Sequence, residues 1–172
     1  MRLFFALWPP PETARALGEW ARAVQRDAGG RATRDETIHL TLAFLGEADP
    51  AKAKIAAARV QSAAFDFPLD VAGYWPHNRI VWVGPQEIPA PLSHLVQQLH
   101  PALAEQSFVL EKRPFAAHLT LLRKAGKPTS LPELPAVLWP ADEFLLVRSS
   151  TSPHGSRYEP IERFSLSPRT AR

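Results

Sequence analysis

The chain of 172 residues contains no cysteine, which excludes disulfides, thiolate metal sites and a cysteine nucleophile. With 45% hydrophobic and 22% charged residues it has the composition of one globular domain rather than of a disordered chain. A formal charge of +3 is compatible with an anionic partner, and no apolar run is long enough for a membrane span, so a cytoplasmic monomer without a membrane partner is expected.

Arg2 to Trp8 reads as a short buried strand. Pro9, Pro10 and Pro11 then open a helix with the apolar stripe Leu17, Trp20, Ala21 and Val24, closed by Gly29 and Gly30. Thr37 to Leu45 is strand-like, and Asp49-Pro50 caps and starts an alanine-rich helix expected to run to about Ala63. Phe65 to Ala72 and Ile80 to Val83 read as strands joined by a turn over Tyr74 to Asn78. Leu92, Leu95, Val96, Leu99 and Leu103 mark an amphipathic helix. Further strands are expected at Phe108 to Glu111, Ala116 to Arg123, Glu143 to Ser149 and Tyr158 to Ser165, with Lys124 to Pro140 as an extended crossover and Thr170 to Arg172 frayed. Strands alternating with three helices make an α+β fold with helix-covered sheets.

One tetrapeptide occurs twice: His39-Leu40-Thr41-Leu42 and His118-Leu119-Thr120-Leu121, 79 residues apart. The two-residue period of a strand puts each histidine and its threonine on one face and the leucines on the other. Two such strands about a pseudo-twofold axis bring two imidazoles and two hydroxyls to one cleft. Imidazoles titrate near neutral pH and supply an acid and a base, while hydroxyls donate hydrogen bonds to a phosphoryl group. Neither copy has a carboxylate or second histidine two residues away, so no metal and no cofactor are expected. His77, His94, His100 and His154 belong to no pair and are read as surface or core residues.

These residues resemble the two-histidine phosphoesterase superfamily, and most closely its LigT-like branch of RNA 2',3'-cyclic phosphodiesterases, also called 2'-5' RNA ligases. The likeness runs through Arg2 to Pro9, Ile38 to Gly46, Ile80 to Gly84, Arg113-Pro114-Phe115, Arg123 and Gly155 to Tyr158. Ala117 stands where the family often has proline, and Ala32-Thr33 lies near where it often has an aromatic residue. The resemblance implies a duplicated, bilobed fold, antiparallel-rich and with a cleft between the lobes, formed by residues 1–172 as a single domain. It implies His39 as proton donor, His118 as proton acceptor, and Thr41, Thr120 and Arg123 as phosphate ligands. The implied reaction opens a 2',3'-cyclic phosphate at an RNA end to leave a 2'-phosphate, with 2'-5' ligation as its reverse. A small cyclic or 2'-5' nucleotide as substrate, or a nonenzymatic RNA-binding module, are the alternatives. Tyr74, Trp75 and Tyr158 are candidate substrate contacts. Arg123 poses a geometric question, because its odd offset from His118 points it away from the site unless a bulge or the strand's end turns it back.

Overall fold

Two four-stranded antiparallel sheets form the frame, in a computed structural model that describes residues 1–169; the expected fraying of Thr170 to Arg172 falls outside the described residues. In chain order the elements are β1 (Arg2–Leu7), α1 (Pro11–Ala28), β2 (Arg31–Ala32), a 3-10 turn (Asp35–Thr37), β3 (Leu40–Glu47), α2 (Pro50–Ala58), β4 (Phe65–Asp66) and β5 (Val71–Trp75). They continue with β6 (Ile80–Gly84), α3 (Ala90–Glu105), β7 (Leu119–Arg123), β8 (Pro140–Ala141), β9 (Glu143–Ser152) and β10 (Gly155–Ser165). The first sheet has the order β10-β9-β1-β3 and the second β2-β7-β6-β5, while β4 and β8 pair as a separate ribbon. Each motif thus enters a different sheet, and the mixed α+β architecture with three helices is as expected.

Strand alternation sorts the first sheet into two faces. Leu3, Phe5 and Leu7 of β1 join Phe144 and Leu146 of β9 in the main core, which also takes Val81, Leu119 and Leu122 from the second sheet. Phe4 and Ala6 point the other way and pack with Leu145, Val147, Trp8 and Tyr158. The core is continuous between the sheets, and each fully buried leucine or phenylalanine in it contributes about 1.5–3 kcal/mol. Helix α1 adds Leu17, Trp20, Ala21 and Val24, the stripe expected from its spacing. Its prolines suit a helix start, where the missing N–H has no helical partner. At its end Gly30 has φ +84°, and a Cβ there would lie 2.5 Å from the carbonyl oxygen of Arg123. Only glycine lets α1 close against the end of β7.

Several expected boundaries move. Asp49 caps α2 by accepting the Ala51 N–H at 2.9 Å, but the helix stops at Ala58 rather than near Ala63. Residues 62–64 are drawn out instead to the C-terminal segment: Ala64 N–H donates to the Ser167 carbonyl and Ser167 N–H to the Ser62 carbonyl. The strand expected over Phe65 to Ala72 is broken around Pro68 and resumes as β5, which carries Tyr74 and Trp75 inside the strand; the turn falls on residues 76–79. Phe108 to Glu111 is no strand. Phe108 and Leu110 pack on the core while Val109 is 93% exposed, so the segment alternates as an extended chain without a ladder partner.

Candidate active site

Both motif histidines sit just before a strand, and each turns its Nδ1 back to the carbonyl two residues upstream. His39 Nδ1 lies 2.7 Å from the Thr37 oxygen and His118 Nδ1 lies 3.0 Å from the Ala116 oxygen. A carbonyl only accepts, so Nδ1 carries the proton in both rings and Nε2 is left bare to exchange protons with a ligand. The two halves therefore fix the same tautomer by the same local device.

The strands that follow share a second device. Against β1, Ala6 faces Thr41 and Phe5 faces Ala43, leaving Leu42 as an extra residue. Against β6, Trp82 faces Thr120 and Val81 faces Leu122, leaving Leu121 as the extra residue. A bulge resets the alternation of side chains. Leu42 and Ala43 are accordingly both buried and Phe44 is exposed, while Leu121 and Leu122 are both buried and Arg123 is exposed. Phe44 and Arg123, each five residues after its histidine, return to the face of the motif threonine. The geometric question over Arg123 is answered by this bulge, and its guanidinium is near enough for its charge to act on both imidazoles.

Burial governs the electrostatics. It pushes the His39 imidazole from the ordinary 6.5 down to about 4, helped by the charges of Arg123 and His118 and opposed by the bond to the Thr37 carbonyl. His118 also falls below the usual imidazole value, first through burial and then through Arg123, against the Ala116 carbonyl. The ring surroundings explain the desolvation. His39 stacks on Trp8 with centroids 4.7 Å apart and planes at 14°, with Tyr158 edge-on at 5.2 Å and Phe4 at 5.1 Å. His118 meets Trp75 edge-on at 4.7 Å, and Trp75 packs at 5.2 Å on Trp82. The Trp82 indole covers Gly73, where a Cβ would come to 2.5 Å from the ring.

Of the residues singled out in the sequence, His118, Thr41 and Trp75 line one cavity of about 750 Å³, joined there by Phe44. Thr120 is beside Trp82 on the same sheet face, and Tyr158 stands against His39. Tyr74 is a correction. As Trp75's neighbour in β5 it points to the opposite face from the ring that meets His118, packs on the core and donates its hydroxyl to the Ala125 carbonyl at 2.8 Å. The sequence reading passed over Trp8, Phe44 and Trp82. The alternation of Phe4 and Ala6 in β1, carried just past its end to Trp8, was the available signal for the first, and the shared five-residue offset with Arg123 for the second. His100 also has an unforeseen partner, its Nε2 lying 2.8 Å from the carbonyl oxygen of the bulge residue Leu42. Among the described residues no group of three His, Asp or Glu side chains is arranged to hold a metal.

Comparison with known proteins gives a consistent kinship. The family described as LigT like Phosphoesterase matches residues 7–82. The chain is 35% identical to the RNA 2',3'-cyclic phosphodiesterase of Escherichia coli, over 96% of both chains. It is 34% identical to the protein of that name from Thermus thermophilus, over 96% of this chain and 90% of the other. Its fold superposes on the crystal structure of E. coli LigT in complex with 3'-AMP with a TM-score of 0.88, at 34% identity and covering 96% and 97% of the two chains. An identity of this level sustained from end to end, on a shared backbone, makes the chain a member of the LigT-like phosphoesterase family.

Proposed function

We propose that the protein hydrolyses a 2',3'-cyclic phosphate at the end of an RNA chain to leave a 2'-phosphate, by metal-independent acid–base catalysis. The observation that carries this reading is the matched pair of imidazoles, each with Nδ1 fixed on a carbonyl and Nε2 bare. Nε2 of neutral His118 takes a proton from water as the water oxygen bonds to phosphorus. The bond from phosphorus to the 3' oxygen breaks, and His39 gives its Nε2 proton to that oxygen. Thr41, Thr120 and Arg123 hold the non-bridging oxygens, whose charge grows in the transition state. The depressed proton affinity of His39 is compatible with a donor role because a phosphate anion beside Nε2 raises it again, offsetting Arg123. Run backwards, with a 5'-hydroxyl in place of water, the same groups join two RNA ends through a 2'-5' bond.

In this reading the chain acts as a cytoplasmic monomer, one domain of two halves related by a pseudo-twofold axis, and the matching bulges in β3 and β7 support the duplication. Turnover of a short RNA with a 2',3'-cyclic end, in chelator, tests the proposal through the product. A 2'-phosphate is expected; a 3'-phosphate reverses the leaving oxygen, and no turnover of any cyclic-ended RNA or nucleotide overturns the assignment.

A further inference from the structure

A second cavity, of about 680 Å³, has Trp8 in its wall and is lined by neither motif histidine. It shares three residues with the surroundings of His39: Trp8, which stacks on the imidazole, Tyr158, which meets its edge, and Thr37, whose carbonyl holds Nδ1. Its size is within the range of small-ligand sites, roughly 300–1,000 Å³.

Resting on the phosphodiesterase reading, we infer that this cavity receives the base of the nucleotide preceding the cyclic end, which makes an oligonucleotide the preferred substrate over a mononucleotide. Three features point to a base rather than to a phosphate. Its walls are polar and apolar in equal measure, and the apolar part includes the rings of Trp8 and Tyr158 alongside Pro10, Pro11 and Pro160. Aromatic faces of this kind stack bases irrespective of sequence. The charges largely cancel, because Arg34 pairs with Glu36 at 3.6 Å and Arg163 with Glu143 at 2.5 Å, so no phosphate cradle is formed. What remains is one cation, Arg157, and one carboxylate, Asp142, which acts on Arg169 through its charge but makes no direct hydrogen bond or ion pair with it. A donor group and an acceptor group suit the edge of a base, which presents both kinds of partner.

The cavity is also built in advance. Trp8 is held by its indole N–H, which donates to the Glu36 carbonyl at 3.0 Å, and Arg34 donates to the Ser156 carbonyl at 2.7 Å, closing the 3-10 turn onto β10. Rigid walls spare a ligand the cost of ordering them. The indole shared with His39 sets the occupant of the cavity directly beside the reaction centre, where the neighbouring nucleotide of a chain lies.

The test compares a ribonucleoside 2',3'-cyclic phosphate with a dinucleotide bearing the same end, using the full chain and the double variant Asp142→Ala, Arg157→Ala. Neither residue belongs to the catalytic machinery, and thermal melting confirms that the variant is folded. The wild type should show kcat/KM about tenfold or more higher for the dinucleotide, the scale of one stacked, hydrogen-bonded base. The double variant should lose most of that advantage and leave the mononucleotide unchanged. A wild type that treats both substrates alike, or a variant that slows both equally, overturns the inference. Calorimetric binding of the 2'-phosphate-ended dinucleotide and mononucleotide gives a second readout that needs no turnover. If neither cyclic substrate reacts, the phosphodiesterase reading fails, while tighter dinucleotide binding lost in the variant still upholds the cavity's role and equal binding removes it.

Discussion

Acidifying the protein from pH 6.5 to 4 should cost about 3 kcal/mol of folding stability through His39 alone. In the unfolded chain this imidazole protonates near its ordinary 6.5, whereas in the fold, wrapped by Trp8, Phe4 and Tyr158, it does so only near 4. Between those values the unfolded state binds the extra proton, so stability rises with pH across the window and the contribution is lost as pH falls. From 6.5 to about 4, at about 1.4 kcal/mol for each pH unit, the difference amounts to roughly 3 kcal/mol. That is a large part of the ~5–15 kcal/mol typical of a domain. Urea denaturation at several pH values between 4 and 7.5, on the wild type and on His39→Asn, isolates the effect, because every other titrating group is common to both. Asparagine retains an N–H for the Thr37 carbonyl but does not titrate. The stability of the variant relative to the wild type should improve by about 3 kcal/mol on going from pH 6.5 to 4, on the same linkage. A difference that stays constant over this range would refute the claim that burial of an ionisable ring, rather than the shape of the site, sets the state of His39.

The same depression moves the expected bell-shaped profile of kcat/KM to the acid side of the neutral optimum that unperturbed imidazoles would give, and Arg123→Gln should shift both limbs upward while slowing turnover, as followed by NMR titration of the two rings alongside the kinetics. His39→Ala and His118→Ala should each reduce the chemical step by roughly 10²-fold or more, and single-turnover rates of the double variant should fall short of the product of the two losses. Thr41→Ala and Thr120→Ala should cost about 0.5–1.5 kcal/mol each in kcat/KM. EDTA should leave turnover unchanged; inhibition reversed by a divalent ion would contradict the assignment of proton handling and charge to side chains alone. Gly73→Ala should destabilise by about 1–3 kcal/mol in chemical denaturation and slow turnover as well, since the new methyl displaces Trp82, on which Trp75 rests.

The part of the molecule that repeats was legible. His39, Thr41, His118 and Thr120 could be named from a tetrapeptide found twice, because a two-residue period assigns faces without knowledge of the partner strand. Helix α1 was equally readable, since Leu17, Trp20, Ala21 and Val24 are set by local periodicity and its ends by proline and glycine. What escaped depends on partners distant in sequence. The end of α2 is decided by Ser167, the shape of Phe108 to Glu111 by the want of a neighbouring strand, and the inward turn of Arg123 by a register slip against β6. Tyr74 and Trp75 were read as a loop pair when in fact a continuing strand sends them to opposite faces.

The sheet order has a consequence for how the protein comes into being. The strand that carries the first motif, β3, pairs with β1, whose other neighbour is β9, and β9 in turn carries β10. During synthesis both motif histidines leave the ribosome before any residue of β9 does. Until then Phe4 and Ala6 have no Leu145 or Val147 to pack against, and His39 has no Tyr158 at its edge. A nascent chain possessing both motif imidazoles is therefore still without the walls that desolvate one of them. The burial that lowers the proton affinity of His39 is completed only when the β9–β10 hairpin, made last, closes against β1.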